Sequence, residues 1–246
     1  MDLDIVIPVL NEEVILESSI NRLLRFCDMD MSLYEWKITI ADNGSTDRTL
    51  EIARSIAHSD SRVTCTRLEE RGRGRALKHS WLNSDADIVS YMDVDLSTGL
   101  DILPYTVSLV ATGECNVAVG SRLLSGSEVL GRSFKRGLIS RCYSILIRLM
   151  FFVAFKDAQC GFKVVSSKFV REALPLVRDT GWFFDTELLL VAEKNGYAIC
   201  EVPVKWTDDP DSRVRIIRTA WEDIKGLLRM RFGGLSQTRR KLLSRS

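Results

Sequence analysis

Short runs rich in Ile and Val alternate along this chain with segments whose apolar residues return every three or four positions. The runs "LDIVIPV" (3–9), "WKITIAD" (36–42), "RVTCTRL" (62–68), "DIVSYMD" (87–93), "NVAVGS" (116–121) and "ICEVPVKW" (199–206) predict six strands. Leu16, Ile20, Leu23 and Leu24 keep helical spacing between the first two runs, and Leu50, Ile52, Ala53, Ile56 and Ala57 keep it between the second and third. Strand and helix in turn predict an α/β fold with a mostly parallel central sheet flanked by helices. After Ser121 the alternation weakens. A glycine- and serine-rich loop (123–133), a long apolar helix near 137–155 and the stretch "DAQCGFKVVS" (157–166) follow. No linker-like break, internal repeat or low-complexity tract interrupts the pattern, so one large domain is expected.

In such sheets ligands bind beyond the carboxyl ends of the strands, where loops and helix amino termini gather. Polar residues sit at those ends: Asn11, Glu12 and Glu13 after the first run, "DNGSTD" (42–47) after the second, Asp93 and Asp95 after the fourth. In "YMDVDLSTG" (91–99) the two acids are spaced to point to one side of a strand. Like charges that close repel unless a proton or a cation separates them. One reading is a turn followed by a helix cap. The other is a divalent cation, Mg²⁺ or Mn²⁺, held together with phosphate oxygens. "DNGSTD" is likewise either a turn and cap or a contact to a nucleotide base or ribose through Asp42. "ERGRGRALKHS" (70–80) lacks the third glycine of a dinucleotide fingerprint and does not follow the first strand. As a basic loop meeting a helix it suits a diphosphate, with Arg71, Arg73 and Lys78 as charges, or it is simply solvated.

Composition narrows the classes. The chain has 246 residues, 46% hydrophobic and 27% charged, the ordinary globular range, and a net charge of +1, which excludes nucleic acid as a partner of the whole surface. The end from Arg213 onward is locally basic, with only Glu222 and Asp223 as acids. Cysteines 27, 65, 115, 142, 160 and 200 lie far apart without a CxxC pair, which argues against a zinc site or disulfide framework and for a reducing compartment. The start "MDLDIVIPVLNEE" shows no secretory signal. The most apolar stretch, 142–155, contains Arg148 and is shorter than the roughly twenty residues of a membrane span. It is either a buried core helix or an interfacial one. "IKGLLRMRFGGLSQTRRKLL" (224–243) mixes Leu, Met and Phe with Arg and Lys, as an interfacial helix does; a solvated basic tail is the alternative.

Taken in order, "IVIPVLNEE", "ADNGSTD", "ERGRGRAL", "DVDLST", "GSR", "DAQCGFK", "FDTELL" and "VPVKW" resemble the family 2 glycosyltransferases of the GT-A fold, above all the synthases of dolichyl-phosphate glucose or mannose. The resemblance implies a single GT-A, Rossmann-like catalytic domain over 1–230 with C-terminal amphipathic helices, and a basic tail over 231–246. It places Pro8, Asn11, Glu12, Asp42 and Arg73 around the nucleotide sugar. Asp93 and Asp95 become the site of Mg²⁺ or Mn²⁺ and the diphosphate. Arg122, Arg132, Lys135 and Arg136 meet the phosphate of the lipid acceptor, and Gln159, Cys160 and Gly161 mark the "QCGFK" stretch. Asp185 and Glu187 lie near the sugar, and with Asp93, Asp95 and Arg122 they form the implied catalytic set. One departure stands out: the family commonly has two acids where this chain has Asp42 followed by Asn43.

The implied reaction is an inverting transfer of a hexose from GDP-mannose or UDP-glucose to a polyprenyl (dolichyl) phosphate. It would run at the cytoplasmic face of a membrane, with the enzyme peripheral and without a transmembrane helix. A family 2 enzyme with a sugar hydroxyl acceptor and a non-catalytic nucleotide-sugar-binding module are the alternatives. A hydroxyl nucleophile needs a general base, whereas a lipid monophosphate is already anionic near neutral pH.

Overall fold

The structure, a computed structural model, describes residues 1–208 and 216–243. The first half reads as strand, helix, strand: β1 (Asp2–Val9), α1 (Leu16–Asp30), β2 (Glu35–Asp42), α2 (Thr49–Ser59), β3 (Val63–Arg67), α3 (Arg73–Leu82) and β4 (Ile88–Met92). The second half contains α4 (Leu103–Ala111), β5 (Val117–Ser121), β6 (Glu128–Leu130), α5 (Phe134–Phe151) and β7 (Phe162–Ser166). It continues with α6 (Ser167–Glu172), α7 (Phe184–Lys194), β8 (Ile199–Pro203), β9 (Lys205–Thr207), α8 (Ile216–Arg229) and α9 (Leu235–Leu243).

Seven strands form one sheet in the order β3-β2-β1-β4-β7-β5-β8. β1 pairs in parallel with both β2 and β4, so the strand order reverses at β1. A crevice opens at such a reversal, beyond the carboxyl ends. Buried on both faces, β1 and β4 are apolar nearly throughout, as central parallel strands must be. Pro8 lies past the last β1–β4 pair, Val6 with Tyr91, where its missing N–H breaks no ladder on that side. α1 covers the sheet with Leu16, Ile20, Leu23 and Cys27, which recur on one helical stripe.

Two features depart from the sequence pattern. β7 is a strand within the "DAQCGFKVVS" stretch and runs antiparallel to both β4 and β5. Its direction brings Phe162 opposite Met92, so residues 157–161 arrive at the carboxyl end of β4. The run 199–206 is two strands, because the chain leaves the main sheet at buried Val204 and pairs Trp206 with Val129 of β6 in a second, two-stranded sheet. β6 lies in the segment expected as loop. Three residues of strand carry too little periodicity to read.

α7 is buried from Phe184 to Ala192 and forms the central helix behind the site. α8 packs on it through Gly226, where a Cβ would overlap the ring of Phe183, and this close approach explains a helix-interior glycine that costs about 1 kcal/mol relative to Ala. A kink at Phe232 and Gly233 leads into α9. Arg178 donates to Gln237 Oε1 at 2.8 Å, and Thr238 is buried beside α7. Residues 209–215 and 244–246, the last stretch of the expected basic tail among them, lie outside the described residues. Among those described, no helix is long and apolar enough to cross a membrane.

Candidate active site

The loops after β1 and β2 are sewn together by side chains. Asn11, in the left-handed region at φ 57°, donates its N–H to Ser45 Oγ at 3.0 Å, and its Oδ1 accepts from Thr46 N at 2.8 Å. Glu12 N–H donates to Thr49 Oγ1 at 2.7 Å, and Arg48 N–H donates to Glu13 at 3.0 Å. Asp42 is fully buried, accepting from Ser45 N at 3.2 Å and from Arg67 at 3.3 Å. The polar cluster expected from "NEE" and "DNGSTD" is thus one connected wall. Asn43 has a defined task as well: its Oδ1 accepts from Gly72 N at 2.7 Å, which fixes the start of α3 and the position of Arg73.

Arg73 bridges two acids. Its Nη2 meets Asp93 Oδ1 at 2.5 Å and its Nη1 meets Asp185 Oδ2 at 2.5 Å, with the guanidinium stacked near Tyr91 and Trp182. The positive charge that two neighbouring acids require is here a guanidinium. Burial disfavours the charged guanidinium, but Asp93, Tyr91 and Asp185 outweigh it and hold Arg73 well above the usual arginine range. Asp185 also accepts from Lys163 at 2.7 Å and from the Tyr91 hydroxyl. Burial pushes its carboxyl up, yet Lys163 and Arg73 prevail and hold it below the ordinary carboxylate range. Asp93 itself is seated against Gly161, where any Cβ would overlap its carboxylate, and its N–H donates to Gly161 O at 3.1 Å. Asp95 is exposed in the following turn, accepting from Ser97 N at 2.9 Å. Two hard carboxylates on one rim fit Mg²⁺ or Mn²⁺, whose remaining positions phosphate oxygens and water would fill. Among the described residues no group of three or more His, Cys, Asp or Glu gathers to hold an ion by itself.

A second charged cluster lies across the loop 157–161. Arg122 is clamped by Asp157 through Nε at 2.8 Å and Nη2 at 2.9 Å, and packs over Trp206 at 4.8 Å. Burial raises the Asp157 carboxyl, but Arg122 prevails and holds it low. Arg132 donates to Ser140, while its buried Nε has no protein partner. Burial, then the adjacent Arg122, depress the Arg132 guanidinium below its ordinary range. Arg136 pairs with Asp208 at 2.8 Å, and Lys135 is exposed on the first turn of α5. A small recess beside Arg122 is lined by Tyr143, Ser144, Lys156, Asp157 and Gln159.

Beyond the wall formed by Asn11, Glu12 and Asp42 after β1 and β2, where Pro8 also lies, the expected residues fall into two groups and one outlier. Asp93 and Asp185 share Arg73, with Asp95 in the turn just beyond Asp93; Arg122, Arg132 and Arg136 lie near one another on the cationic side, with Lys135 next to Arg136 in the first turn of α5. Glu187 contacts neither group in the hydrogen bonds and ion pairs described. It is held by Arg229 of α8 at 2.9 and 2.8 Å and accepts from Asp179 N at 2.7 Å. Lys163, Tyr91 and Asp157 complete the site without having been singled out. A lysine inside the apolar strand "FKVVS" was the available signal, since a fully buried lysine demands an acid partner.

The sheet is open, with Asp93 and Arg122 just past the carboxyl ends of β4 and β5. Residues 4–174 match the family described as Glycosyl transferase family 2, and the chain belongs to that family. Glycosyltransferase AglD of Haloferax volcanii is 32% identical over 228 residues, which cover 92% of this chain and 36% of that protein. The chain thus spans little more than a third of that relative. The dolichyl-phosphate beta-glucosyltransferase of Dictyostelium discoideum is 27% identical over 94% of this chain and 74% of its own length. Among solved structures, glucosyl-3-phosphoglycerate synthase from Mycobacterium tuberculosis, in complex with Mn²⁺ and UDP-glucose, superposes with a TM-score of 0.68 at 20% identity, covering 94% of this chain and 79% of that one. That likeness establishes the shared fold.

Proposed function

We propose that this chain transfers glucose from UDP-glucose to dolichyl phosphate or a similar polyprenyl phosphate, with inversion, at a membrane surface. The observation that carries the reading is the pairing of an acidic rim, Asp93 and Asp95, with a cationic rim, Arg132 and Arg136 beside Arg122, on either side of the loop 157–161. The relatives named dolichyl-phosphate beta-glucosyltransferases and the UDP-glucose complex of the structural neighbour support glucose as the sugar and uridine as the base.

Asp93 and Asp95 would hold Mg²⁺ or Mn²⁺, which would neutralise the departing diphosphate. Asn11, Glu12 and Asp42 line the wall for the nucleoside, and Arg73 approaches the diphosphate from the start of α3. Arg132, Lys135 and Arg136 present the acceptor phosphate, while Arg122, clamped by Asp157, fixes the loop and contributes its field. Both oxygens of Asp185 and both of Glu187 are engaged by cations or N–H groups. Neither is placed as a proton acceptor, which favours a nucleophile already ionised over a sugar hydroxyl. A phosphate monoester, with a second pKa of about 6, meets that condition.

The acceptor's home in a bilayer agrees with the outer faces of α5 and α8. α5 exposes Phe134, Leu138, Ile145, Leu149 and the following Phe152, interspersed with Lys135, Arg141 and Arg148, and buries only Ser144, Ile147 and Phe151. α8 and the kink after it expose Trp221, Ile224, Leu228 and Phe232. Apolar side chains among cations suit an anionic membrane surface. Incubation with Mn²⁺ and radiolabelled UDP-glucose or GDP-mannose, with dolichyl phosphate or a soluble sugar, tests the whole reading. Label from UDP-glucose in the lipid extract is expected; label in the soluble sugar alone would overturn it.

A further inference from the structure

Arg73 covers one carboxylate oxygen of Asp93, Oδ1. The guanidinium is pinned on four sides, by Asp93 and Asp185 at 2.5 Å each and by the rings of Tyr91 at 4.9 Å and Trp182 at 5.2 Å. Its backbone is fixed too. Gly72 N–H is held by Asn43, and Gly74 lies so close to Phe184 that a Cβ would overlap the ring. The two acids Arg73 serves are unequal. Asp185 keeps Lys163 and Tyr91 whatever Arg73 does, whereas Arg73 is the basic side chain paired with Asp93.

We propose that Arg73 is an exchange cation: it occupies Asp93 until a divalent ion and a nucleoside diphosphate arrive together, then passes that carboxylate to the ion and turns its own charge to the diphosphate. The inference rests on the donor and metal reading above and deepens it. The reason is electrostatic. A divalent ion arriving alone meets a guanidinium within a few ångströms of its carboxylate, and a diphosphate arriving alone meets a guanidinium already engaged by Asp93 and Asp185. Together each cancels the other's penalty. Metal and nucleotide should therefore bind with strong positive coupling, and by linkage each strengthens the other equally. Retention of the Asp185 contact makes the movement a rotation of the whole planar guanidinium about that contact.

The test measures Mn²⁺ binding to the full chain by electron paramagnetic resonance of the free ion, with and without saturating UDP, in parallel with GDP. In the wild-type protein UDP should tighten Mn²⁺ binding by about tenfold or more. In Arg73→Gln, Mn²⁺ alone should bind about fivefold tighter than to wild type, and the enhancement by UDP should shrink to about threefold or less. Equal Mn²⁺ affinity with and without nucleotide in the wild type would overturn the exchange, and that arm requires no variant to fold. An Arg73→Gln protein that melts as a folded domain yet keeps both wild-type affinities would overturn it as well. Failure of Mn²⁺ to bind the wild type with either nucleotide would instead remove the underlying metal and donor assignment, and the exchange with it.

Discussion

The rim around Asp93 and the rim around Arg132 are built from the same ingredients and lack opposite things. At the first, Arg73 and Lys163 face Asp93 and Asp185, with Asp95 beyond them, so an incoming cation completes the balance. At the second, Arg122, Arg132 and Arg136 face Asp157 and Asp208, so an incoming anion does. One short segment serves both, with Asp157 at one end holding Arg122 and Lys163 at the other holding Asp185. The difference teaches how a single antiparallel strand and the segment leading into it can divide one crevice into a side short of cations and a side rich in them. The two ends of the segment carry opposite charge and point to opposite rims.

The largest test of that division is Lys163→Met, which leaves a fully buried Asp185 with Arg73 as its remaining basic partner. Removing one partner of a buried pair should cost about 3 kcal/mol in urea unfolding. A cost under about 1 kcal/mol would mean that Arg73 alone neutralises the acid, and that the first rim is not short of cations.

A smaller effect concerns Asp223 of α8, which accepts from Gln159 at 2.8 Å and has a second, buried oxygen without a hydrogen-bond partner. Burial, with Asp179 and Glu222 adding to it against the bond from Gln159, pushes its carboxyl up to about 6. The folded protein then holds a proton that the unfolded chain releases near 3.8. The sign follows: this group favours folding at pH below the unfolded value, and the benefit is lost as pH rises through about 6. Asp223→Asn keeps the bond to Gln159 and removes the charge. It should therefore gain about 2 kcal/mol at pH 7.5, or roughly 4–8 °C in Tm, and almost nothing at pH 4. An equal effect at the two pH values would show that folding does not raise the Asp223 carboxyl.

The smallest expected effect sharpens the cationic side. Arg132→Ala should raise the KM for the lipid phosphate by about tenfold, the scale of one charge-assisted hydrogen bond, with the donor KM within about twofold. Because Arg132 sits beside Arg122 and pairs with no carboxylate in the described contacts, the same variant should unfold at nearly the wild-type urea concentration. A raised donor KM would instead join the two rims into one donor site.

The parallel half was readable because periodicity there is long and uniform. β1 to β4 lie within a residue or two of their expected bounds, and Asn11, Asp42, Asp93 and Asp95 fall where strands in such a sheet end. β6, three residues long, and the break at Val204 were not readable, since both depend on a second sheet formed by segments some seventy-five residues apart. The two arginines show the same limit within the site. That Arg73 and Arg122 are basic residues beside loops at strand ends was legible. That Arg73 joins residues 93 and 185, while Arg122 is closed off by Asp157, depends on contacts between distant parts of the chain. Glu187 gave no local sign that it would anchor α8 through Arg229.

The sequence by itself determined the strand-helix order, the apolar faces that must be buried, and the acids and bases at the strand ends, because these follow from side-chain chemistry and spacing alone. Only the tertiary structure decided which charge meets which. A buried ion pair is chosen by distance in space, and the antiparallel course of β7, set by its neighbours β4 and β5, brings those distances about.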